Sequence, residues 1–341
     1  MKKFILLIVS FLVGIGLFVW IAKTVGWQEI KNSFLVFTGR DGLVIFVLTL
    51  LIMLIGNWKW QEILKGEGIR ISFFSLFRPF LAGFSVMFLA PILLWGGEIF
   101  RSYILKRNND VPWTKGLTSV IVDRILEWTA NLVVILFGVL IFLLMIGFPP
   151  MNLAIIFGGV FLFFTLGISF FYLRTFRRKS MAKIAFRLFG LKNIKDNNVV
   201  LQTEKEMFDF FRLKNKTFWT SFILSFFRAG VMYIRTGLLI FFLGKSIGAL
   251  PVLSILGFTY LAVMIPIPTA LGSHEAIQTF TFDSLGLGIS TATVFTMILR
   301  GAELIIALAG VVVIFRYGIL IIKDNFFNKI DKIADKDNAE I

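Results

Sequence analysis

The 341-residue chain is 57% hydrophobic, contains 41 Phe and carries a formal charge of +15, with a mean hydropathy of +0.87. A soluble domain does not hide that much apolar surface, so the composition predicts an integral membrane protein. The lack of cysteine excludes disulfides and thiolate chemistry, and a single histidine, His274, excludes a multi-histidine metal centre; neither a metal nor another cofactor is expected.

Residues 4–22 form the first predicted span. The opening MKKFILLIVSFLVGIGLFVWIAK has the charge and length of a signal peptide, but it lacks a small-x-small cleavage site before Lys23, which favours an uncleaved anchor. A second span is predicted at 42–60. The next apolar stretch, 73–95, runs into a break that reads PILLWGGE, Pro91 to Glu98. Full spans follow at 117–146 and 152–173, then a segment at 174–216 with twelve Lys and Arg. That segment reads as a basic loop between spans, held near anionic lipid, rather than as a nucleic-acid patch. A span at 217–243 precedes a second broken stretch, 249–286, which contains PTALGSHE, Pro268 to Glu275. The last span is 291–316, and 317–341 reads as a short amphipathic or disordered tail. Trp58, Trp60 and Trp219 lie at span ends and read as an interface belt.

Lys and Arg set the orientation, because they are retained on the cytoplasmic side. If each broken stretch enters and leaves by one face, 27 of the 35 basic residues fall on one side, four of them within 59–78. The expectation is an all-α protein of the cytoplasmic membrane, with six full spans, two re-entrant hairpins and both termini cytoplasmic. It forms one domain over 1–316, followed by the tail.

The two breaks match. Proline precedes glutamate by seven residues in both, Glu98 precedes Arg124 by 26 and Glu275 precedes Arg300 by 25, and Arg-x-x-Glu closes each unit at Glu127 and Glu303. A constant shift lays 42–146 onto 217–316, with paired spans running in opposite directions. Such inverted units, each with an interrupted helix, point to a transport site between them.

A charge at the bilayer centre costs about 2.5–3.5 kcal/mol on insertion scales, so the charges present should pair or face water. Arg124–Glu127 and Arg300–Glu303 are three apart and share helix faces. Two readings stand for them: an ion pair that locks hairpin to span, or a substrate contact. Arg228 and Arg235 lack an acidic partner at helical spacing within their own span. They either neutralise Glu98, Asp123 or Glu275 across the bundle or meet an anionic headgroup, for which the guanidinium fork is suited. Asp123 is expected near the cytoplasmic rim and Asp283 near the outer surface. Gly96, Gly97 and Gly272 let the backbone turn, which makes Glu98 and Glu275 candidate caps of the following half-helices. His274 reads as a hydrogen-bonding group at a hairpin tip.

The motifs GGEIFRSYILKR (96–107), SVIVDRILEW (119–128) and PIPTALGSHEAI (266–277), with the closing Arg-x-x-Glu, resemble the lysylphosphatidylglycerol synthetase transmembrane region, a flippase-like family. The resemblance covers about 40–320 and includes Gly-Gly-Glu with the nearby Arg101; Thr269 and Ala270 stand where the family has Gly-Gly. In multiple peptide resistance factors this module precedes a soluble domain that attaches lysine to phosphatidylglycerol. The resemblance therefore implies lipid translocation by the membrane part and transfer chemistry elsewhere, so this chain is expected not to be an enzyme. The leading reading is a flippase for a phospholipid or lipid-linked headgroup, with Arg124, Arg228, Arg235 and Arg300 binding its phosphate. Partners are then membrane lipids, anionic phospholipid or lipid-linked sugar, and not nucleic acid. An ion-coupled transporter of a small anion, a membrane component of a lysyltransferase-type system and a homo-oligomer all remain open.

Overall fold

The computed structural model describes residues 39–89, 96–188, 198–264 and 273–337, with the side chains of 188, 273–275 and 318–337 outside the described set. The predicted first span, the residues Pro91 and Pro268 of the breaks, and Gly272 lie outside the described residues, as do the side chains of His274 and Glu275.

All regular elements among the described residues are helices: α1 (Arg40–Gly66), α2 (Phe73–Leu89), α3 (Gly96–Asn109), α4 (Trp113–Met145), α5 (Met151–Phe176), α6 (Ala182–Leu188), α7 (Val199–Phe210), α8 (Lys216–Phe242), α9 (Ala249–Met264), α10 (Ser273–Ser284) and α11 (Ile289–Asp337). Helices α1, α4, α5, α8 and the stretch Ile289–Tyr317 of α11 are long and apolar enough to cross a membrane. Their bounds agree with the predicted spans to within a few residues, except that α1 runs on past Trp60 to Gly66 and α11 continues as helix through most of the predicted tail. Helices α2 and α9 are apolar over their described 17 and 16 residues.

Conventional signals open or close several of these helices. Asn198 and Asn215 cap α7 and α8, each side chain accepting from the amide two residues on. Gly68, at φ 78°, turns the chain after α1, a left-handed conformation that glycine adopts without strain.

Each helix has few neighbours. Helix α1 lies on α8; α4 lies on α9 and α2 on α11; α2 packs on α3 and α9 on α10; α3 packs on α4 and α10 on α11; α1 meets α2 and α8 meets α9; α4 meets α8 and α1 meets α11. Helix α5 touches α4, α7 and α9 along one side, and Leu162, Phe163, Leu166 and Phe170 are exposed on the rest of it. A helix apolar on all sides and packed on one suits a lipid-facing position.

Two of these crossings depend on glycine. A Cβ on Gly138 of α4 would lie 2.7 Å from the Leu253 carbonyl oxygen and 2.9 Å from Gly257 Cα of α9. A Cβ on Gly310 of α11 would lie 2.5 Å from the Leu81 carbonyl oxygen of α2, and Ser85 clamps that crossing by donating to the Ala307 carbonyl at 2.7 Å. Without a driving force from water, helices in lipid associate by such close backbone approach.

At the end of α1, Glu67 is buried, and Lys115 donates to its carbonyl oxygen at 2.6 Å. Burial first, and then the Glu206 carboxylate beside it, push the Glu67 carboxyl from its ordinary 4.5 up to about 8.

Gly138→Ala should lower stability by about 1–3 kcal/mol through overpacking, read as a drop in thermal unfolding midpoint in detergent. Gly158→Ala on α5, with nothing within 4 Å of the added carbon, should leave the midpoint unchanged. Because the folded value of Glu67 is raised, its contribution to stability is fully present below about 4.5 and is lost as the pH rises through about 8. The wild-type midpoint should therefore fall over this window, and Glu67→Gln should flatten the fall.

Candidate functional site

The charges that sequence places in the apolar layer gather where α1, α3, α4 and α8 meet. Helix α1 delivers Lys59 and Trp60, α3 delivers Glu98 and Arg101, α4 delivers Asp123, Arg124 and Glu127, and α8 delivers Arg228. Gly97 brings α3 in: its Cβ position lies 2.4 Å from the Gly83 carbonyl oxygen of α2. The glycine thus permits a backbone-to-backbone contact early in α3, where the Glu98 carboxylate, expected as a helix cap, is paired with Arg124.

Asp123 is buried between two cations. Lys59 Nζ lies 2.8 Å from one carboxylate oxygen and Arg101 Nη1 lies 2.9 Å from the other; the side chains of Asp123, Lys59 and Arg101 are 6%, 1% and 9% exposed. Lys59 also donates to the Asp123 carbonyl at 3.2 Å. The Arg101 guanidinium sits 4.0 Å from the centroid of the Trp60 ring and 4.8 Å from that of Phe80, and Trp60 is itself fixed by donating to Ser119 Oγ at 3.1 Å.

Beside this triad, Arg124 pairs with Glu98 and donates to Met87 Sδ at 2.8 Å. Its other terminal nitrogen lies 3.8 Å from Glu127. Glu127 accepts from Arg228 Nη1 at 2.5 Å. Further along α8, Arg235 donates to Thr49 of α1 at 3.1 Å and pairs with Glu303 of α11 at 3.4 Å. Arg300 is half-buried one turn before Glu303.

The structure therefore brings Glu98, Arg101, Arg124, Glu127 and Arg228 into one cluster and sets Arg235 and Glu303 in another. The described partners of Arg228 and Arg235 lie across the bundle, as one of the two sequence readings has it, but they are Glu127 and Glu303 rather than Glu98 or Asp123. Asp123 is a buried hub, not a rim residue. Trp60 is fully buried, whereas Trp58 and Trp219 are exposed as a belt requires. Lys59, grouped by sequence with the basic residues of a loop, is buried inside α1. Its signal lies in the spacing: Lys59 stands as far before Arg235 as Arg124 stands before Arg300 and Glu127 before Glu303.

Two small, partly open voids lie along the cluster. The larger, ≈ 40 Å³, is lined by Lys59, Glu98, Arg101, Asp123, Arg124, Glu127 and Arg228 together with apolar side chains of α1 and α2. The smaller, ≈ 10 Å³, is lined by Lys59, Glu127, Asn131, Ser225, Arg228 and Tyr260, among others. Lys59, Glu127 and Arg228 line both, so the Glu127–Arg228 pair stands between them.

Residues 7–310 match the lysylphosphatidylglycerol synthase TM region, and the chain belongs to that family. It is 24% identical over 308 residues to a UPF0104 membrane protein of Methanocaldococcus jannaschii, covering 88% of this chain and 90% of that one. It is 25% identical over 323 residues to a UPF0104 membrane protein of Pyrococcus horikoshii, covering 88% and 92%. No solved structure matches the chain.

Asp123→Asn would leave Lys59 and Arg101 buried without their counter-charge, a change that costs roughly 3–5 kcal/mol where a buried pair is broken. The expected result is a large fall in thermal midpoint. Adding Lys59→Met should recover part of it, since one uncompensated cation is then removed.

Proposed function

We propose that this member of the lysylphosphatidylglycerol synthase TM-region family moves the polar headgroup of a membrane lipid across the cytoplasmic membrane while the acyl chains stay in the bilayer. The observation that carries this reading is the buried cluster of Lys59, Glu98, Arg101, Asp123, Arg124, Glu127 and Arg228 around a void between apolar helices. Ionisable groups at such depth are costly, and in membrane proteins they mark the route of a polar cargo.

The inverted repeat supplies the way in which the route opens. Exchanging α1 with α8, α2 with α9, α3 with α10 and α4 with α11 turns the set of helix pairings largely into itself: α4–α9 becomes α11–α2, α2–α3 becomes α9–α10, and α4–α8 becomes α11–α1. The close crossings correspond as well. Gly257 lies against Val134 and Gly138, and Leu81 lies against Gly310. One and the same shift along the chain carries Leu81 onto Gly257 and Val134 onto Gly310. On the charge asymmetry of the sequence, the basic segment 174–216 faces the cytoplasm.

The two halves hold equivalent residues in different partnerships. Arg235 pairs with Glu303 in the second half, whereas in the first the equivalent Lys59 binds Asp123 and the equivalent Glu127 binds Arg228. If the halves exchange conformations, as inverted repeats do in alternating access, Glu127 passes from Arg228 to Lys59. The partition between the two voids then opens.

Liposomes containing the purified protein and a fluorescent phospholipid test this. Transbilayer movement should exceed that of protein-free liposomes, and Glu127→Gln, checked for an unchanged circular dichroism spectrum, should reduce it at least tenfold. Movement no faster than in empty liposomes, or a soluble anion taken up in place of lipid, would refute lipid transport.

A further inference from the structure

Resting on the lipid-transport reading, the geometry points to Arg101, not the arginines of the spans, as the group that grips the cargo, and to a singly charged phosphodiester as what it grips. The other cations of the cluster are spoken for. Asp123 holds Lys59, Glu98 and Glu127 hold Arg124, and Glu127 holds Arg228. Arg228 and Arg235 each leave one buried Nε without a hydrogen-bond partner among the described residues, which is a single donor. Arg101 leaves two, Nε and Nη2.

Those two nitrogens form one edge of the guanidinium, the edge that meets two oxygens of a phosphate or carboxylate side by side. The edge is held in place before any ligand arrives. Nη1 is anchored on Asp123 Oδ2, and the plane of the group is held by Trp60 and Phe80 at 4.0 and 4.8 Å. Arg101 lines the larger void and is 7% exposed. A fixed, desolvated fork of donors on a residue that lines a cavity suits an oxyanion, because little ordering of the fork remains to be done on binding.

Charge narrows the ligand. Lys59, Arg101, Arg124 and Arg228 face Glu98, Asp123 and Glu127 around the void, four cations against three carboxylates. One negative charge on the cargo completes neutrality, as a phosphodiester supplies; a diphosphate would leave excess charge buried, which is costly. Glu98, three residues before Arg101 on α3 and so on the same face, keeps one buried carboxylate oxygen without a partner among the described residues. It would accept a hydrogen bond from a hydroxyl or ammonium next to the phosphate.

The second half has no such fork among its described residues. At the positions equivalent to Arg101 and Asp123 stand Gln278 and Leu299, and Gln278 is bonded to Thr259 at 2.6 Å. The grip therefore belongs to one half of the repeat, so the cargo is held from one side of the void.

The test uses the full-length protein in a neutral detergent, titrated calorimetrically with dihexanoyl phosphatidylglycerol, with inorganic phosphate and with pyrophosphate. The diester should bind the wild type at least tenfold more tightly than either inorganic anion. Arg101→Lys, which keeps the charge on Asp123 but loses the fork, should weaken it by roughly tenfold or more with a near-normal unfolding midpoint. A lysine variant that binds the diester as wild type does would overturn the inference and reduce Arg101 to a structural staple. Arg101-dependent binding of inorganic phosphate with no lipid binding and no lipid movement would keep the anion site but remove the lipid reading. Tighter binding of pyrophosphate than of the diester would overturn the single-charge assignment. Should the lysine variant fail to fold, the ¹⁵Nε resonance of Arg101 in the wild type decides: a shift on titration with the diester supports the site, and an unmoved resonance overturns it.

Discussion

Asp123, enclosed between Lys59 and Arg101, is the constraint on which the first half of the molecule is built. A carboxylate at that depth has no water to solvate it, and an isolated ion there would be prohibitive. Its two oxygens are matched by one cation from α1 and one from α3, so three helices are fixed in mutual register by a single side chain on α4. The same requirement operates one turn along, where Glu127 ties α4 to α8 through Arg228. These links choose among arrangements that nonpolar packing alone leaves nearly equivalent, because apolar side chains gain little from one another in lipid that lipid itself does not provide.

Glycine contacts then set how far the helices can close around the charges. The Gly138–Gly257 approach draws α4 onto α9, and the Gly310–Leu81 approach draws α11 onto α2. Both are backbone contacts with no slack, so the helices that carry Arg124, Glu127 and Glu303 are braced on partners from the other half of the chain. The described lining of the polar voids comes from helices. Helix α5, with apolar residues on its open sides, adds a lipid-facing wall and contributes no charge to the cluster.

Much of this is legible in the sequence because it rests on length and spacing. The spans follow from apolar runs, and the crowding of charge around Glu98, Arg124 and Glu127 follows from their spacing. The side-chain partners are less legible, for physical reasons. Arg228 and Arg235 meet acids 101 and 68 positions away in the chain, and helical periodicity carries no information about which face of one helix meets which face of another. Sequence misplaces Lys59 because a lysine near a span end is ordinarily a topology signal; only its spacing to Arg235, equal to that of Arg124 to Arg300, sets it apart. Trp60 is misplaced for the parallel reason, since a tryptophan near a span end usually sits at the lipid interface, and its role depends on the Arg101 side chain reaching it from α3.

The balance of charge in the cluster bears on how a cargo could move through it. A ligand shifts a conformational equilibrium only by its differential affinity for the two states. Free cations would hold an anion tightly in every state and slow its release. Here Arg124, Arg228 and Arg235 already have carboxylate partners, so an entering anion competes with fixed internal groups and gains little from them. The unpartnered edge of Arg101 is different, because its donors are desolvated and unanswered among the described residues. On the proposed reading, binding energy is then concentrated at one fork while the surrounding pairs remain near neutrality. A partner change at Glu127 displaces charge beside that fork and can alter its affinity, without requiring any charge to be left alone in the apolar layer.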